Sequence, residues 1–249
     1  MFYPAEPATL ERTLAGLLDA VPAGADDAKA IIAPHAGYQY SGPTAAFAYR
    51  LLESRRSRIE RVVLLGPAHR VYLQGMALPS VEAFTTPLGE VPVDADGVAR
   101  ALELPGTQGS DEAHAFEHSL EVHLPFLQTV LEDFRLVPIV VGICPAREVE
   151  AVLEALWGGD ETLIVVSSDL SHFHTYDEAR EIDTRTTARI EARETALHGE
   201  EACGAYAVNG LLRAARTRGL QVRTLDVRNS GDTAGDRQRV VGYGAYALA

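Results

Sequence analysis

Short apolar runs alternate with longer amphipathic stretches along most of this chain. The runs are rich in β-branched residues and end at Gly, Pro or charged residues, as is typical of buried strands. Between them, apolar positions recur at the spacing of one helix face, first over 8–21. This alternation predicts an α/β fold, a single-domain three-layer α/β/α sandwich over 1–249 with a mainly parallel or mixed central sheet. The main predicted strands are 31–33, 61–65, 135–141 and 163–166.

Turn-forming residues divide the rest of the chain. We expect a turn over 37–43 before a helix over 44–54, and a loop over 105–117, where Gly, Asp and His are frequent. Small strands or a hairpin are expected within 76–93, where Pro and Gly interrupt the apolar pattern. Later helices are predicted at 94–102, 120–133, 147–157, 176–194 and 201–216, and the last strands at 221–227 and 240–248.

Composition narrows the functional classes. The chain has 249 residues, of which 47% are hydrophobic and 23% charged, and this is ordinary for a soluble globular protein. Its formal net charge of −13 argues against nucleic acid or a membrane surface as a partner, because both attract positive charge. No apolar run approaches the ~18 residues that a membrane span requires, and no signal-peptide pattern opens the chain. We therefore expect a cytoplasmic protein.

The sequence contains two cysteines, Cys144 and Cys203. Two isolated thiols in a chain of this length form neither a disulfide framework nor a zinc-knuckle pattern. Cys144 follows a predicted strand, where a small apolar side chain is expected. Cys203 lies at the start of a predicted helix, a position that can lower the pKa of a thiol. We expect both thiols to be free and to have no catalytic part.

Histidines follow the predicted strands at corresponding places. His35 and His69 each come shortly after a proline that ends an apolar run, and Asp169 and His172 follow the run 164–168. Ligands of open α/β sheets bind outside the carboxyl ends of parallel strands, so these side chains are expected to form one polar site that can bind a metal. As alternatives, the histidines would cap turns through their ring nitrogens and Asp169 would be the N-cap of a helix.

Two further segments carry candidate chemistry. The segment 117–125 is the densest polar stretch, and its His118 and Glu121 are three residues apart and would share a helical face. Its Glu and His residues do not follow the order of the zinc-protease pattern H-E-x-x-H. The loop 229–236 contains Asp232, which either brings a carboxylate to the histidines or belongs to a simple turn rich in Gly and Asp.

At these motifs the sequence resembles the Memo family, known in prokaryotes as AmmeMemoRadiSam system protein B. The resemblance extends over nearly the whole chain and rests on several long motifs in the same order. That family is similar in fold to the class III, LigB-type extradiol dioxygenases, which hold non-heme Fe(II) with two histidines and a carboxylate. The motifs that carry the resemblance lie at 2–4, 34–42, 66–69, 117–125, 167–172 and 230–232.

The resemblance implies a metal site and a base. His35 and His69 match the metal-ligand positions, and His172 matches the position of the dioxygenase base. The animal branch of the family carries a cysteine in the C-terminal loop, where this chain has Ser230 and Asp232 instead. A carboxylate adds negative charge and a hard oxygen donor to an iron site. We therefore expect Asp232, rather than Ser230, to be the third ligand.

Our leading hypothesis is a metal-dependent redox or dioxygenase-like enzyme, with iron as the expected metal and copper or zinc as alternatives. His172 would take a proton from a substrate hydroxyl, with Asp169 orienting an imidazole, and His118 and Glu121 would line the catalytic cleft. The competing hypotheses are a non-catalytic module that binds a peptide or protein in the same cleft, and a zinc hydrolase. The expected ligand is a small molecule or a peptide. A homo-oligomer and a functional link to a radical enzyme, which the family's prokaryotic name suggests, stay open.

Overall fold

Strands and helices alternate along the chain as the apolar pattern predicts. A computed structural model describes residues 2–24 and 27–249. The helices are α1 (Pro7–Asp19), α2 (Tyr38–Arg50), α3 (Ala95–Leu102), α4 (Glu112–Ala115), α5 (Leu124–Val130), α6 (Ala146–Leu156), α7 (Tyr176–Glu191) and α8 (Ala205–Arg218). The strands are β1 (Ala30–Ala33), β2 (Arg61–Pro67), β3 (Met76–Leu78), β4 (Ala83–Thr86), β5 (Gly89–Pro92), β6 (Thr107–Gly109), β7 (Arg135–Val141), β8 (Thr162–Ser167), β9 (His172–His174), β10 (Val222–Asn229) and β11 (Val240–Leu248).

Strands β1, β8, β2 and β7 form the parallel centre of the main sheet. β1 pairs with β8, β8 with β2, and β2 with β7, all in parallel. On one side β11 pairs antiparallel with β1 and with β10, and on the other β3 pairs antiparallel with β7 and parallel with β6. The short strand β9 pairs with β11, and β4 and β5 form a separate hairpin. The sheet is therefore mixed, and its parallel strands end together at one carboxyl edge.

Helices cover both faces of this sheet. Successive strand residues point to opposite faces. Ile31 belongs to the same hydrophobic cluster as Leu14 of α1 and Tyr49 of α2, whereas its neighbour Ile32 belongs to a second cluster that includes Leu153 of α6. Because the central strands are buried on both faces, their sequences are continuous apolar runs. The predicted fold class, a single-domain α/β fold with a mixed central sheet between helical layers, is confirmed. Within the described ranges, no helix has the length and apolar character needed to cross a membrane.

Two local predictions from the sequence are wrong, and so is the alternative that Asp169 is the N-cap of a helix. The segment 37–43 is not a turn, because α2 begins at Tyr38 and continues through Pro43. Burial of Tyr38 and Tyr49 in the core outweighs the hydrogen bond that Pro43 removes from the helix. The expected loop over 105–117 contains β6 and α4. The segment after β8 does not open a helix but leads into β9.

Candidate metal centre

Three imidazoles meet at the carboxyl edge of the sheet. His35 follows β1, His69 follows β2, and His118 lies in the segment before α5. One ring nitrogen of each residue lies within 4.8 Å of those of the other two. The ring centroids are 5.2 Å apart for His35 and His69, 5.6 Å for His35 and His118, and 4.9 Å for His69 and His118. His35 is buried, His118 is partly buried and His69 is exposed, so the group opens to solvent on the His69 side.

A serine hydroxyl orients the first of these rings. Ser167 lies at the end of β8, and its Oγ donates a hydrogen bond to the carbonyl of Ser119 at 2.6 Å. A hydroxyl has a single proton, so the Ser167 oxygen must accept from Nδ1 of His35, which is also 2.6 Å away. Nδ1 of His35 is therefore protonated and Nε2 carries the lone pair. An unprotonated ring nitrogen is what a metal ion requires of a histidine ligand.

Glu117 orients the second ring in the same way. Its carboxylate accepts from Nδ1 of His69 at 3.0 Å and from the backbone N–H groups of His69 at 2.6 Å, His118 at 2.9 Å and Ser119 at 2.9 Å. Burial favours the protonated form of Glu117, but the hydrogen bonds from His69 and Ser119 outweigh it and lower the pKa of Glu117 to about 2. A carboxylate that is ionised at neutral pH only accepts, so Nδ1 of His69 is the donor, and in the neutral ring Nε2 is the nitrogen that carries the lone pair.

A glycine allows the segment that carries Glu117 and His118 to approach β2. A Cβ atom on Gly66 would lie 2.7 Å from Oγ of Ser119 and 2.9 Å from Cδ2 of Leu120. At this close approach, Oγ of Ser119 donates to the carbonyl of Pro67 at 2.8 Å. The segment is thereby attached to the end of the strand that precedes His69.

The third ring is held by other rings. His118 stacks on Phe2, with ring centroids 4.3 Å apart and planes at 10°, and on His69 with planes at 18°. Its buried Nδ1 lies 3.5 Å from Oε1 of Glu117 and makes no hydrogen bond within the described residues.

Two of the three imidazoles, those of His35 and His118, lie in surroundings that favour the neutral ring. Burial lowers the pKa of His35 well below its ordinary value, and the nearby His69 and His118 lower it further. Burial also lowers the pKa of His118, against the opposing effect of the Glu117 carboxylate. Neutral imidazoles are available for a metal at pH 7 because no proton has to be displaced from them.

Asp169 and His172, both predicted as site residues, flank the group. Oδ1 of Asp169 accepts from the backbone N–H of His35 at 2.8 Å, and Oδ2 lies 4.0 Å from Nε2 of His35. Burial raises the pKa of Asp169. Nδ1 of His172 donates to the carbonyl of Leu170 at 2.8 Å, which leaves Nε2 as the acceptor nitrogen. His172 is close enough for its charge to act on the pKa of both His35 and Asp169.

Two predicted site residues, Asp232 and Glu121, lie outside the group of imidazoles. Oδ1 of Asp232 accepts from the hydroxyl of Tyr176 at 2.5 Å, and Oδ2 accepts from the backbone N–H of Asn229 at 3.0 Å. The helical turn over 230–232 directs this carboxylate back to its own N-cap, so the expected third ligand is not beside the histidines. Glu121 accepts from the hydroxyl of Tyr3 and is not a member of the group of imidazoles.

Sequence reasoning missed Ser167 and Glu117 as partners of ring nitrogens, although both lie in the motifs that it singled out. It also missed the position of Cys203, whose Sγ lies 3.5 Å from Nε2 of His35 and accepts from the backbone N–H of Asp169 at 3.3 Å. His35 and Cys203 are 168 residues apart, so no local spacing signals their contact. Both cysteines are free, as predicted.

The chain is similar to a known protein family over nearly its whole length. The profile of a family described as Memo-like protein matches residues 1–247. A MEMO1 family protein of Aeropyrum pernix is 38% identical over an alignment of 239 positions, gaps included, which covers 90% of this chain and 84% of that protein. Another, of Aquifex aeolicus, is 36% identical over an alignment of 257 positions, gaps included, which covers 97% of this chain and 94% of that protein. The crystal structure of an uncharacterized protein from Escherichia coli K12 matches with a TM-score of 0.57 and 15% identity, over 88% of this chain and 98% of that one. At this identity the structural likeness supports the fold alone.

Proposed function

This chain belongs to the family of Memo-like proteins, and from that membership we propose that it binds a divalent transition metal through His35, His69 and His118. The observation that carries the proposal is the meeting of three ring nitrogens within 4.8 Å at the carboxyl edge of the sheet. Ligands of α/β proteins bind at this edge. Imidazole is a ligand that suits iron, copper and zinc.

The residues around the imidazoles fit a bound metal. Ser167 and Glu117 hold Nδ1 of His35 and His69, and such outer hydrogen bonds orient a metal ligand and make it more basic. The lowered pKa values of His35 and His118 keep both rings neutral, so that each has one ring nitrogen with a free lone pair. When bound, the metal would supply a Lewis acid and, if it is iron, a one-electron redox centre.

We further propose redox or dioxygenase-like chemistry on a small organic molecule or peptide in the cleft, with iron as the expected metal. His172 is the proposed general base, because its Nδ1–H is engaged by Leu170 and its Nε2 can accept a substrate proton. The carboxylate of Asp169 would favour the positive charge that His172 gains in that step, and it would hold the backbone of His35 in place.

Zinc-dependent hydrolysis is a second candidate function. It is favoured by the ligand set, because three histidines with an open position are a set that catalytic zinc sites use. For this reaction the chemistry supplied by the metal would be the activation of water, and His172 would again be the proton acceptor.

Elemental analysis of the protein after anaerobic purification tests the proposal. Iron supports the redox function, and zinc favours the hydrolase. A protein that contains no metal and also fails to bind added Fe²⁺ contradicts both functions and favours the competing hypothesis of a non-catalytic binding module.

Fe²⁺ titration of single variants tests the ligand set. We expect His35→Ala, His69→Ala and His118→Ala each to weaken binding by more than about 100-fold, beyond the effect of losing an outer partner. His172→Phe should keep the metal. His198→Ala is the matched control, because it removes an exposed imidazole away from the group.

Asp232→Ala decides between the ligand set of the structure and that of the sequence. Its carboxylate is engaged by Tyr176 and Asn229, so we expect Fe²⁺ affinity to stay at the wild-type value. Loss of binding in Asp232→Ala, together with wild-type binding in His118→Ala, would contradict the proposed ligands.

A further inference from the structure

His118 differs from the other two imidazoles of the proposed centre in what orients it. His35 and His69 each donate from Nδ1 to an oxygen, that of Ser167 in one case and that of Glu117 in the other. Nδ1 of His118 is buried and has no hydrogen-bond partner within the described residues, since Oε1 of Glu117 is 3.5 Å away. The outer hydrogen bond that ordinarily sets the ring angle of a metal-binding histidine is therefore missing for this ligand.

A ring contact stands in the place of that hydrogen bond. The Phe2 ring lies nearly parallel to the His118 imidazole, at 10°, with centroids 4.3 Å apart. Offset stacking of this kind is a favourable arrangement for two aromatic rings and depends on their relative orientation. Rotation of the His118 ring about its side-chain bonds would break the parallel contact with Phe2 and the second one with His69. The stacked rings thus restrict the imidazole to the orientation that faces His35.

Phe2 can act in this way because its own segment is anchored. The carbonyl of Phe2 accepts from the backbone N–H of Tyr38, at the start of α2, at 2.8 Å. The next residue, Tyr3, donates its hydroxyl to Glu121, and its ring lies 5.5 Å from that of Tyr38. These contacts tie the segment both to α2 and to the polypeptide that carries His118. The hydrogen bond from Tyr3 also gives Glu121 a partner in the segment of Phe2 and Tyr3.

We propose that Phe2 is a positioning residue of the metal centre, whose ring holds the imidazole of His118 in the orientation that lets it bind the metal with His35 and His69. This inference rests on the proposed metal site. The segment that contains Phe2 would then contribute to a centre whose other parts lie mainly at the ends of β1 and β2.

Titration of the full chain with Co²⁺ tests this role, because the visible absorption of Co²⁺ reports its coordination geometry as well as its affinity. We expect Phe2→Ala to weaken Co²⁺ binding about 10- to 100-fold, the range for loss of an outer partner of a ligand. Its cobalt spectrum should move towards that of His118→Ala. Phe2→Tyr keeps the ring and should restore both affinity and spectrum. Phe2→Leu keeps apolar bulk without a ring face and should not. Phe116→Ala is the matched control and should bind as wild type, because Phe116 lies next to Glu117 but is 83% exposed.

His35→Ala separates failure of this inference from failure of the metal site. If His35→Ala binds Co²⁺ as tightly as wild type, the metal site itself is wrong. If His35→Ala loses Co²⁺ while Phe2→Ala and Phe2→Leu keep the wild-type affinity and spectrum, the role of Phe2 is overturned. A lower melting temperature with unchanged Co²⁺ binding overturns it as well, since Phe2 would then serve stability alone. If circular dichroism shows that Phe2→Ala does not fold, Phe2→Leu decides by the same criteria.

Discussion

At the scale of single residues, Glu117 connects the two imidazoles of the proposed metal centre that lie nearest to solvent, those of His69 and His118. It accepts from the ring of His69 and from backbone N–H groups of His69, His118 and Ser119. Hydrogen bonds to an ionised acceptor are shorter and stronger than those between neutral groups. The negative charge of Glu117 therefore strengthens the hydrogen bonds that hold this segment together. It also strengthens the bond that orients the His69 ring.

Glu117→Gln removes that charge and keeps the shape of the side chain. We expect Fe²⁺ affinity to fall about 10- to 100-fold, because His69 loses its outer carboxylate. The free energy of unfolding at pH 7 should fall by about 2 kcal/mol, the scale for hydrogen bonds to a charged group. Metal titration and urea unfolding measure the two effects. Glu200→Gln, which changes an exposed glutamate, is the control, and equal results for the two variants would contradict this account.

At the scale of elements, the centre depends on how closely the segment 117–120 approaches β2. That approach places Ser119 between the two strand ends, since its Oγ donates to the carbonyl of Pro67 and its own carbonyl accepts from Ser167. The segment therefore joins β2 and β8 while it carries His118 to the edge between them. A glycine at position 66 is required for this, because its position next to Ser119 leaves no room for a Cβ atom.

Gly66→Ala should displace the segment from β2. The added Cβ would lie 2.7 Å from Oγ of Ser119 and 2.9 Å from Cδ2 of Leu120. We expect a loss of about 1–3 kcal/mol in the free energy of unfolding, as for other insertions into packed regions, together with weaker Fe²⁺ binding. Gly109→Ala is the matched control in β6, where a Cβ would meet nothing within 4 Å. Urea unfolding and metal titration measure the two effects. Equal results for Gly66→Ala and Gly109→Ala would contradict a role for the close approach of segment 117–120 to β2.

At the scale of the whole molecule, the fold buries histidines that must stay neutral. His123 is buried in the core, where its Nδ1 is 2.6 Å from the hydroxyl of Tyr49. Burial, with a smaller effect from His35, lowers the pKa of His123 to about 3. The unfolded chain takes up a proton on this residue below its ordinary pKa of 6.5, but the folded chain does not. Acid therefore favours the unfolded state.

The stability of the metal-free protein should reflect this difference in proton binding. Between pH 6.5 and about pH 3 the unfolded state binds more protons at His123, so the free energy of unfolding decreases as pH falls. Relative to His123→Gln, wild type should lose about 1.4 kcal/mol more for each pH unit between 6 and 5. Urea unfolding of both proteins at several pH values measures the slopes. The comparison with the variant removes the contributions of other groups, and parallel slopes would contradict the prediction.

Local patterns of apolar and polar residues are enough to predict the central strands and the positions of His35 and His69 at their ends. Strands such as β7 and β8 were predictable because a run that is buried on both faces must be apolar throughout, and that pattern is local. The ends of these runs also located His35 and His69, since the turn after a parallel strand always reaches the same edge of the sheet. The turn predicted over 37–43 is wrong because the packing of α2 outweighs the local tendency of Pro43 to interrupt a helix.

The side chains that complete the proposed centre are set by contacts between distant segments of the chain, and the local sequence does not predict them. His118 joins the imidazoles and Asp232 does not, because a close approach at Gly66 brings one segment to the edge while a tight turn directs the other carboxylate to its own backbone. The contacts of Phe2 with His118 and of Cys203 with His35 join residues far apart in the chain. Such contacts follow from how the layers pack, and packing depends on the shapes of all the elements together, so no local pattern of residues encodes them.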